Sequence, residues 1–301
     1  MNESLLQVNR ILELVQPNPL EFTSVKRLGS VNDGGYVVID DFSQSDFLIS
    51  MGVGDDINFE LEVASRISGM DLYDHTISQL PSKIKNARFF REKIGKSPEV
   101  SILDAIDRSN NQGDLILKMD IEGSEWEVLS ELEEKDLIKF RQIIIEFHSL
   151  SNFKDSGSYS RITSILERLS NHFYILNSHA NNCGDFCIIE NIPFPDVIEI
   201  SYARKSSYSL RTDFSKALDN SMLSLNGPCS LNFPEIYLQK AIDINFLNLE
   251  SSSTGKFSRF DRDSLLHERD SLKAQLLDIF ESRIWRWTAF YRTIKIRRLK
   301  N

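Results

Sequence analysis

At 301 residues with 41% apolar composition, the chain can bury one large core without covalent staples, and a formal charge of −9 disfavours nucleic acid as its main partner. That charge is unevenly spread: residues 283–301 hold Arg283, Arg286, Arg292, Lys295, Arg297, Arg298 and Lys300 and no acid, so an acidic body carries a basic tail. Cys183, Cys187 and Cys229 are too few for a disulfide framework, Met1–Gln16 lacks the pattern of a signal peptide, and no segment approaches the roughly 20 apolar residues of a membrane span; a cytoplasmic chain with at most peripheral membrane contact is expected.

Leu5, Val8, Ile11, Leu12 and Val15 follow helical spacing until Pro17 and Pro19 stop the helix. Asp33-Gly-Gly-Tyr-Val-Val-Ile39 predicts a turn entering a strand, and Phe47–Met51 a central strand running into Gly52-Val-Gly-Asp-Asp56. A helix with Ile57, Leu61, Ala64 and Ile67 follows. Strands are predicted at Met70–Tyr73, ending at Asp74, and at Ala87–Phe90. Then come a helix at Ile102–Ile106, a strand at Leu115–Met119, a helix beginning near Glu125, a strand at Ile143–Phe147 and a helix at Ile162–Leu169. Phe173–Asn177, Phe186–Ile189 and Val197–Tyr202 predict antiparallel pieces that finish the sheet.

Strands alternating with helices indicate an α/β fold with a mostly parallel sheet covered on both faces. The organisation expected is an N-terminal helical cap over 1–25, the α/β domain over 26–205, an acceptor-side extension over 206–250 and a hinge with a helical tail over 251–301. Ser251-Ser-Ser-Thr-Gly255 reads as the hinge, and Leu265, Leu272, Leu276 and Ile279 line one face of the helix after it. In the tail, Trp285, Trp287, Phe290 and Tyr291 interleave with arginines, as in an amphipathic helix lying on an anionic lipid surface or packing on a partner subunit.

Two constellations bear on chemistry. Gly52 and Gly54 occupy a strand-to-helix turn, and Asp74 follows Gly54 by 20 residues at the end of the next strand, where an acid accepts hydrogen bonds from ribose hydroxyls. A dinucleotide fingerprint would have a third glycine at position 57, which is Ile57, and Asp55 and Asp56 repel a pyrophosphate. S-adenosylmethionine, with a sulfonium cation and no phosphate, suits the acidic turn better than NAD. The second constellation is Asp120 and Glu122, then Glu146-Phe-His148, then His179-Ala-Asn-Asn182 and Glu199, all at ends of predicted strands that fall along one edge of such a sheet. Helix capping and loop satisfaction would use the same side chains. Methyl transfer to a sugar hydroxyl needs either a base or a cation that lowers the hydroxyl pKa. Asp120 with His148 or His179 fills the first role; Asp120, Glu146 and His148 fit Mg²⁺ or Mn²⁺. Cys183-x-x-x-Cys187 has no second Cys pair and reads as structural thiols.

Over Lys26–Lys205 the chain resembles the FkbM-type S-adenosylmethionine-dependent methyltransferases, through Asp33-Gly-Gly-Tyr36, Gly52-Val-Gly-Asp-Asp56, Leu117-Lys-Met-Asp-Ile-Glu-Gly123, Ile145-Glu-Phe-His148 and His179-Ala-Asn-Asn182. The resemblance implies a Rossmann-like sheet of seven strands with one antiparallel, a cofactor site around Gly52, Gly54 and Asp74 with Asp33 and Asp55 beside it, and O-methylation of a sugar or related hydroxyl. Glu281-Ser-Arg-Ile-Trp-Arg-Trp-Thr-Ala-Phe-Tyr-Arg292 is similar to the S-x-x-W-R-x-T tail of bacterial enzymes that build cell-surface polysaccharides, with Phe290 and Tyr291 standing where that tail has Pro-Leu. Its implied partners are a glycan or lipid-linked saccharide, the inner-membrane surface and polysaccharide-assembly enzymes. A NAD-dependent nucleotide-sugar oxidoreductase or epimerase, and a non-catalytic scaffold, are the competing functions.

Overall fold

The computed structural model describes residues 3–21, 24–189, 192–211 and 225–231. The extension over 206–250 is therefore described only in part, and the predicted hinge, the helix after it and the basic aromatic tail lie outside the described residues. All described residues except Ile192 belong to one compact unit, Met1–Ile189 with Pro193–Gln239.

In chain order the elements are α1 (Glu3–Leu14), β1 (Leu20–Glu21), β2 (Val25–Gly29), β3 (Gly35–Ile39), β4 (Phe47–Met51), α2 (Asn58–Val63), β5 (Gly69–Tyr73), β6 (Ala87–Phe90), α3 (Ile102–Ser109), β7 (Leu115–Met119), α4 (Glu125–Ser130), α5 (Glu134–Leu137) and β8 (Phe140–Phe147). A short 3-10 helix (Leu150–Lys154), α6 (Ser156–His172), β9 (Phe173–Ala180), β10 (Phe186–Ile189), β11 (Ile192–Pro195), β12 (Ile198–Arg204) and β13 (Ser209–Leu210) complete them.

Seven strands form one sheet in the order β6-β5-β4-β7-β8-β12-β9. Strands β6 to β8 run parallel, and β12 alone is antiparallel to both neighbours, β8 and β9. β5, β7 and β8 are buried along their whole length, so their apolar residues fall on both faces without strict alternation, and Asp71, Lys118, Arg141, Gln142 and Glu146 are buried with them. From β4 the chain works outward through β5 to β6, then returns to lay β7 on the other side of β4. The β4/β7 junction is therefore the switch point, where loops diverge and leave a crevice at the carboxyl ends.

The sequence predicts helices over both faces, but much of one face is covered by a hairpin. β2 and β3 pair antiparallel from Val25↔Ile39 to Gly29↔Gly35, and Leu28, Tyr36 and Val38 join Phe59 of α2 in a core with Leu48, Ile116 and Ile144 of the sheet. α3 lies against β4 and β5, α4 against β8 and α6 against β9. The helix predicted from Leu5 is α1, which packs on α6 and is joined to it by Arg10 and Glu167 at 2.7 Å.

Two expectations are corrected. Phe186–Ile189 does not finish the main sheet; it pairs with β11 in a separate two-stranded sheet, because the turn residues between β9 and β10 lead the chain off the sheet edge. Nor is Cys183 the free structural thiol expected beside Cys187; it is joined to Cys229. The two form a disulfide across 46 residues with their Cα atoms 5.9 Å apart, and only Cys187 is free. The pairing is long-range, so the local Cys183-x-x-x-Cys187 spacing, read as structural thiols, gave no sign of it.

Candidate active site

The glycine turn after β4 forms one wall of the crevice. Gly52 (φ 76°) donates its N–H to Tyr73 O at 2.9 Å, while Asp120 N donates to Met51 O at 3.0 Å, stitching the ends of β5, β4 and β7 together. A Cβ on Gly52 would lie 1.6 Å from the Asp120 carbonyl oxygen, so only glycine allows the two strand ends to approach this closely. Gly54 (φ 59°) differs: a Cβ there would meet nothing within 4 Å, so its backbone faces open space.

Asp74 ties the turn to β5. Its Oδ2 accepts from Gly54 N at 2.8 Å, and its Oδ1 accepts from Thr76 N at 2.6 Å and Thr76 Oγ1 at 2.5 Å. Burial disfavours its charged form, but the bonds from Thr76 and Gly54 outweigh it and hold the carboxyl below its ordinary value. Asp33 and Asp55 are exposed. Asp33 Oδ1 accepts from Gly34 N at 3.1 Å, and Asp56 Oδ1 caps the turn before α2 by accepting from Asn58 N at 2.9 Å.

The second wall is a lateral row of side chains. Asp120 leaves β7 one residue beyond the Met119↔Ile145 pair, Glu146 sits opposite Glu199 across β8 and β12, and Glu199 sits opposite His179 across β12 and β9. Chain segments up to 79 residues apart thus place their acids and imidazoles along one sheet edge. His148 Nε2 lies 3.9 Å from Asp120 Oδ1, 3.8 Å from Glu146 Oε1 and 3.7 Å from Glu122 Oε2. His179 is farther along the row, buried, with Nδ1 3.6 Å from Glu199 Oε2. Among the described residues, Asp120, Glu146 and His148 form a group whose ligand atoms all lie within 4.8 Å of one another, a geometry that can hold a metal ion.

The charges are poorly balanced. Desolvation, opposed by His148 and Lys118, raises the Asp120 carboxyl to about 6. Burial first, then Asp120 and Glu199, push Glu146 well above the carboxylate range. Burial pulls His148 down, but Glu125, Asp120 and Glu122 outweigh it and raise the ring to about 9. At neutral pH the row thus holds protons that a dication could replace.

Several contributors lack a role in the sequence reading. Lys118, 4% exposed, pairs with fully buried Glu60 at 3.4 Å and lies over the Tyr36 ring at 5.4 Å. Tyr36 in turn donates its hydroxyl to Asp120 Oδ2 at 3.4 Å. Asn181 donates from Nδ2 to Glu146 Oε1 at 2.9 Å, and Glu125 contacts His148 Nδ1 at 3.1 Å. One signal for Lys118 was present: a lysine inside Leu115–Met119 must be paired if that run is a buried strand. Nothing local marks Glu125 as a partner of His148, which lies 23 residues away.

A parallel sheet of this order with one reversed strand, opening at its switch point onto a glycine turn, defines the Rossmann-like methyltransferase class. Residues 19–176, just over half the chain, match the methyltransferase FkbM domain, and the chain belongs to that family. Similar solved structures include the 23S rRNA methyltransferase ErmE (10% identity, 68% of this chain and 69% of that chain, TM-score 0.34). Others are an rRNA methylase from Streptococcus thermophilus (11%, 68% and 97%, TM-score 0.33) and a dimethyladenosine transferase from Plasmodium falciparum (12%, 94% and 91%, TM-score 0.35). At these identities and TM-scores they carry no functional argument. Among curated proteins, no relative of the chain is found.

Proposed function

We propose that the protein transfers a methyl group from S-adenosylmethionine to a sugar hydroxyl of a bacterial cell-surface glycan. The observation that carries this is the shared wall: Gly52, in the turn suited to the cofactor, is packed against Asp120, the first member of the acid and imidazole row. S-adenosylmethionine, when bound, supplies an electrophilic methyl on a sulfonium. The residues present fit it. Gly54 leaves its backbone open, Asp74 can accept ribose hydroxyls, and exposed Asp33 and Asp55 favour a cation and repel a pyrophosphate. Held at one crevice, donor and acceptor react with the advantage of proximity.

At the acceptor end, Asp120, Glu146 and His148 would hold a divalent cation, Mg²⁺ or Mn²⁺, which would supply the Lewis acidity that lowers a hydroxyl's pKa. His179, beside Glu199, borders the saccharide and is the second candidate base. The cell-surface glycan class is supported by the tail motif Glu281 to Arg292, and docking at the inner membrane or on polysaccharide-assembly enzymes by that motif and the basic residues Arg283 to Lys300.

Isothermal titration with S-adenosylhomocysteine tests the cofactor assignment: micromolar binding is expected, weakened at least tenfold in Asp74→Ala. Absence of binding to folded protein would return the oxidoreductase and scaffold readings. Activity on glycan acceptors should disappear with EDTA and return with Mn²⁺. Full activity in EDTA would refute the cation and leave His148 or His179 as base.

A further inference from the structure

Glu125 is wholly buried, yet it touches neither the glycine turn nor Asp120 directly in any hydrogen bond. Its Oε1 instead gathers three partners: Ile121 N at 3.0 Å, Gly123 N at 3.1 Å and His148 Nδ1 at 3.1 Å. The first two hold the turn after Asp120, in which Glu122 (φ 56°) and Gly123 (φ 105°) both take the left-handed region. The third comes from the end of the next strand in the sheet. One oxygen thus couples the loop that carries Asp120 to the ring of His148.

A carboxylate is an acceptor only, so the ring must place a proton on Nδ1 to make this contact. Nε2 is then the atom offered to Asp120, Glu122 and Glu146. Those acids stand 3.7 to 3.9 Å away, too far for direct hydrogen bonds but with room for a guest between them. The ring's backbone is also held: Trp126 Nε1 donates to His148 O at 2.7 Å while its indole stacks on Phe147 at 4.4 Å between centroids.

We propose that Glu125 is a positioning residue for this site, fixing the Nδ1–H tautomer of His148 and directing the Nε2 lone pair at the cation held with Asp120 and Glu146. The assignment rests on the cation reading of the site, and its test separates the two. A carboxylate behind a ligating histidine strengthens and orients the ligand, and its loss typically costs about 10- to 100-fold in metal affinity.

The experiment uses the full chain and Mn²⁺ as the probe. In Glu125→Gln, Mn²⁺ affinity by calorimetry should fall about 10- to 100-fold and kcat should fall with it, while S-adenosylhomocysteine affinity and the KM for S-adenosylmethionine stay within about twofold. Wild-type Mn²⁺ affinity in a folded Glu125→Gln protein would overturn the assignment. Should that variant not fold, ¹⁵N spectra of the His148 ring in the wild-type apo-protein at about pH 10 give an independent answer: Nδ1–H is expected, and Nε2–H would overturn it. If the wild type binds no Mn²⁺, the cation reading falls and the same ring spectrum decides whether Glu125 sets the tautomer.

Discussion

Gly52 and Gly54 share a backbone conformation and serve opposite ends. Alanine at 52 would drive a Cβ into the Asp120 carbonyl, so Gly52→Ala should separate the ends of β4 and β7; a melting-temperature loss corresponding to more than about 3 kcal/mol is expected. Alanine at 54 meets no atom, so only its left-handed φ is penalised, about 1 to 2 kcal/mol, while the methyl projects into the space assigned to the cofactor. Gly54→Ala should therefore lose clearly less melting temperature than Gly52→Ala and bind S-adenosylhomocysteine at least tenfold more weakly by titration. The sequence marks both glycines as turn residues; it does not distinguish them, because the atom that crowds Gly52 belongs to Asp120, just past the end of β7 and 68 residues further on.

Asp74 gives a pH prediction of definite sign. Its folded carboxyl lies below the ordinary value of 3.8, so its contribution to stability is complete above that value and is lost as pH falls through the folded one. Urea midpoints measured from about pH 5 to 2.5 should show the wild type losing an advantage over Asp74→Asn across this lower range. A constant difference between the two proteins would refute it. The ribose role inferred from the 20-residue spacing and the turn-holding role shown by the bonds from Gly54 and Thr76 use the same carboxylate.

Between elements, Arg141 of β8 is the fastening that joins three segments. It meets buried Asp46 ahead of β4 through Nη2 at 2.6 Å, and Asp41 and the Tyr208 hydroxyl through Nη1, both at 2.5 Å. Removing one partner of a buried pair strands the other charge, so Arg141→Leu should destabilise by about 3 to 5 kcal/mol in denaturant unfolding. Asp46→Asn in the same background should recover part of the loss. Periodicity revealed β4, β5, β6 and β7 almost to the residue because short runs dense in apolar residues, with only Asp71, Arg88 and Lys118 as charged residues among them, stand between polar turns. It missed β2, since Val25-Lys-Arg-Leu-Gly29 buries only Leu28 and owes its extended form to pairing with β3.

For the whole molecule, the Cys183–Cys229 disulfide holds the segment over 225–231 against the acidic end of the site. Asn182 and Ser230 exchange two hydrogen bonds beside it, at 2.9 Å each, and Cys183 N donates to Asn181, whose amide reaches Glu146. Closing a loop across 46 residues is worth up to about 4 kcal/mol on chain entropy, so dithiothreitol should lower the melting temperature of an oxidised sample, and Cys183→Ser with Cys229→Ser should abolish that sensitivity. A cytoplasm keeps such thiols reduced, so mass spectrometry of the pair in freshly lysed cells also tests the expected compartment.

The sequence alone determined the alternation of strands and helices, the glycine turn with its acid at the next strand end, and the family to which these motifs belong, because each is written in local spacing and residue chemistry. Only the tertiary structure decided that a hairpin covers part of the sheet, that two cysteines pair, and that Glu125 stands behind His148, whose grouping with Asp120 and Glu146 the strand ends had already suggested. Those facts depend on which strands lie side by side, and strand order brings together residues whose separation along the chain carries no signal of their contact.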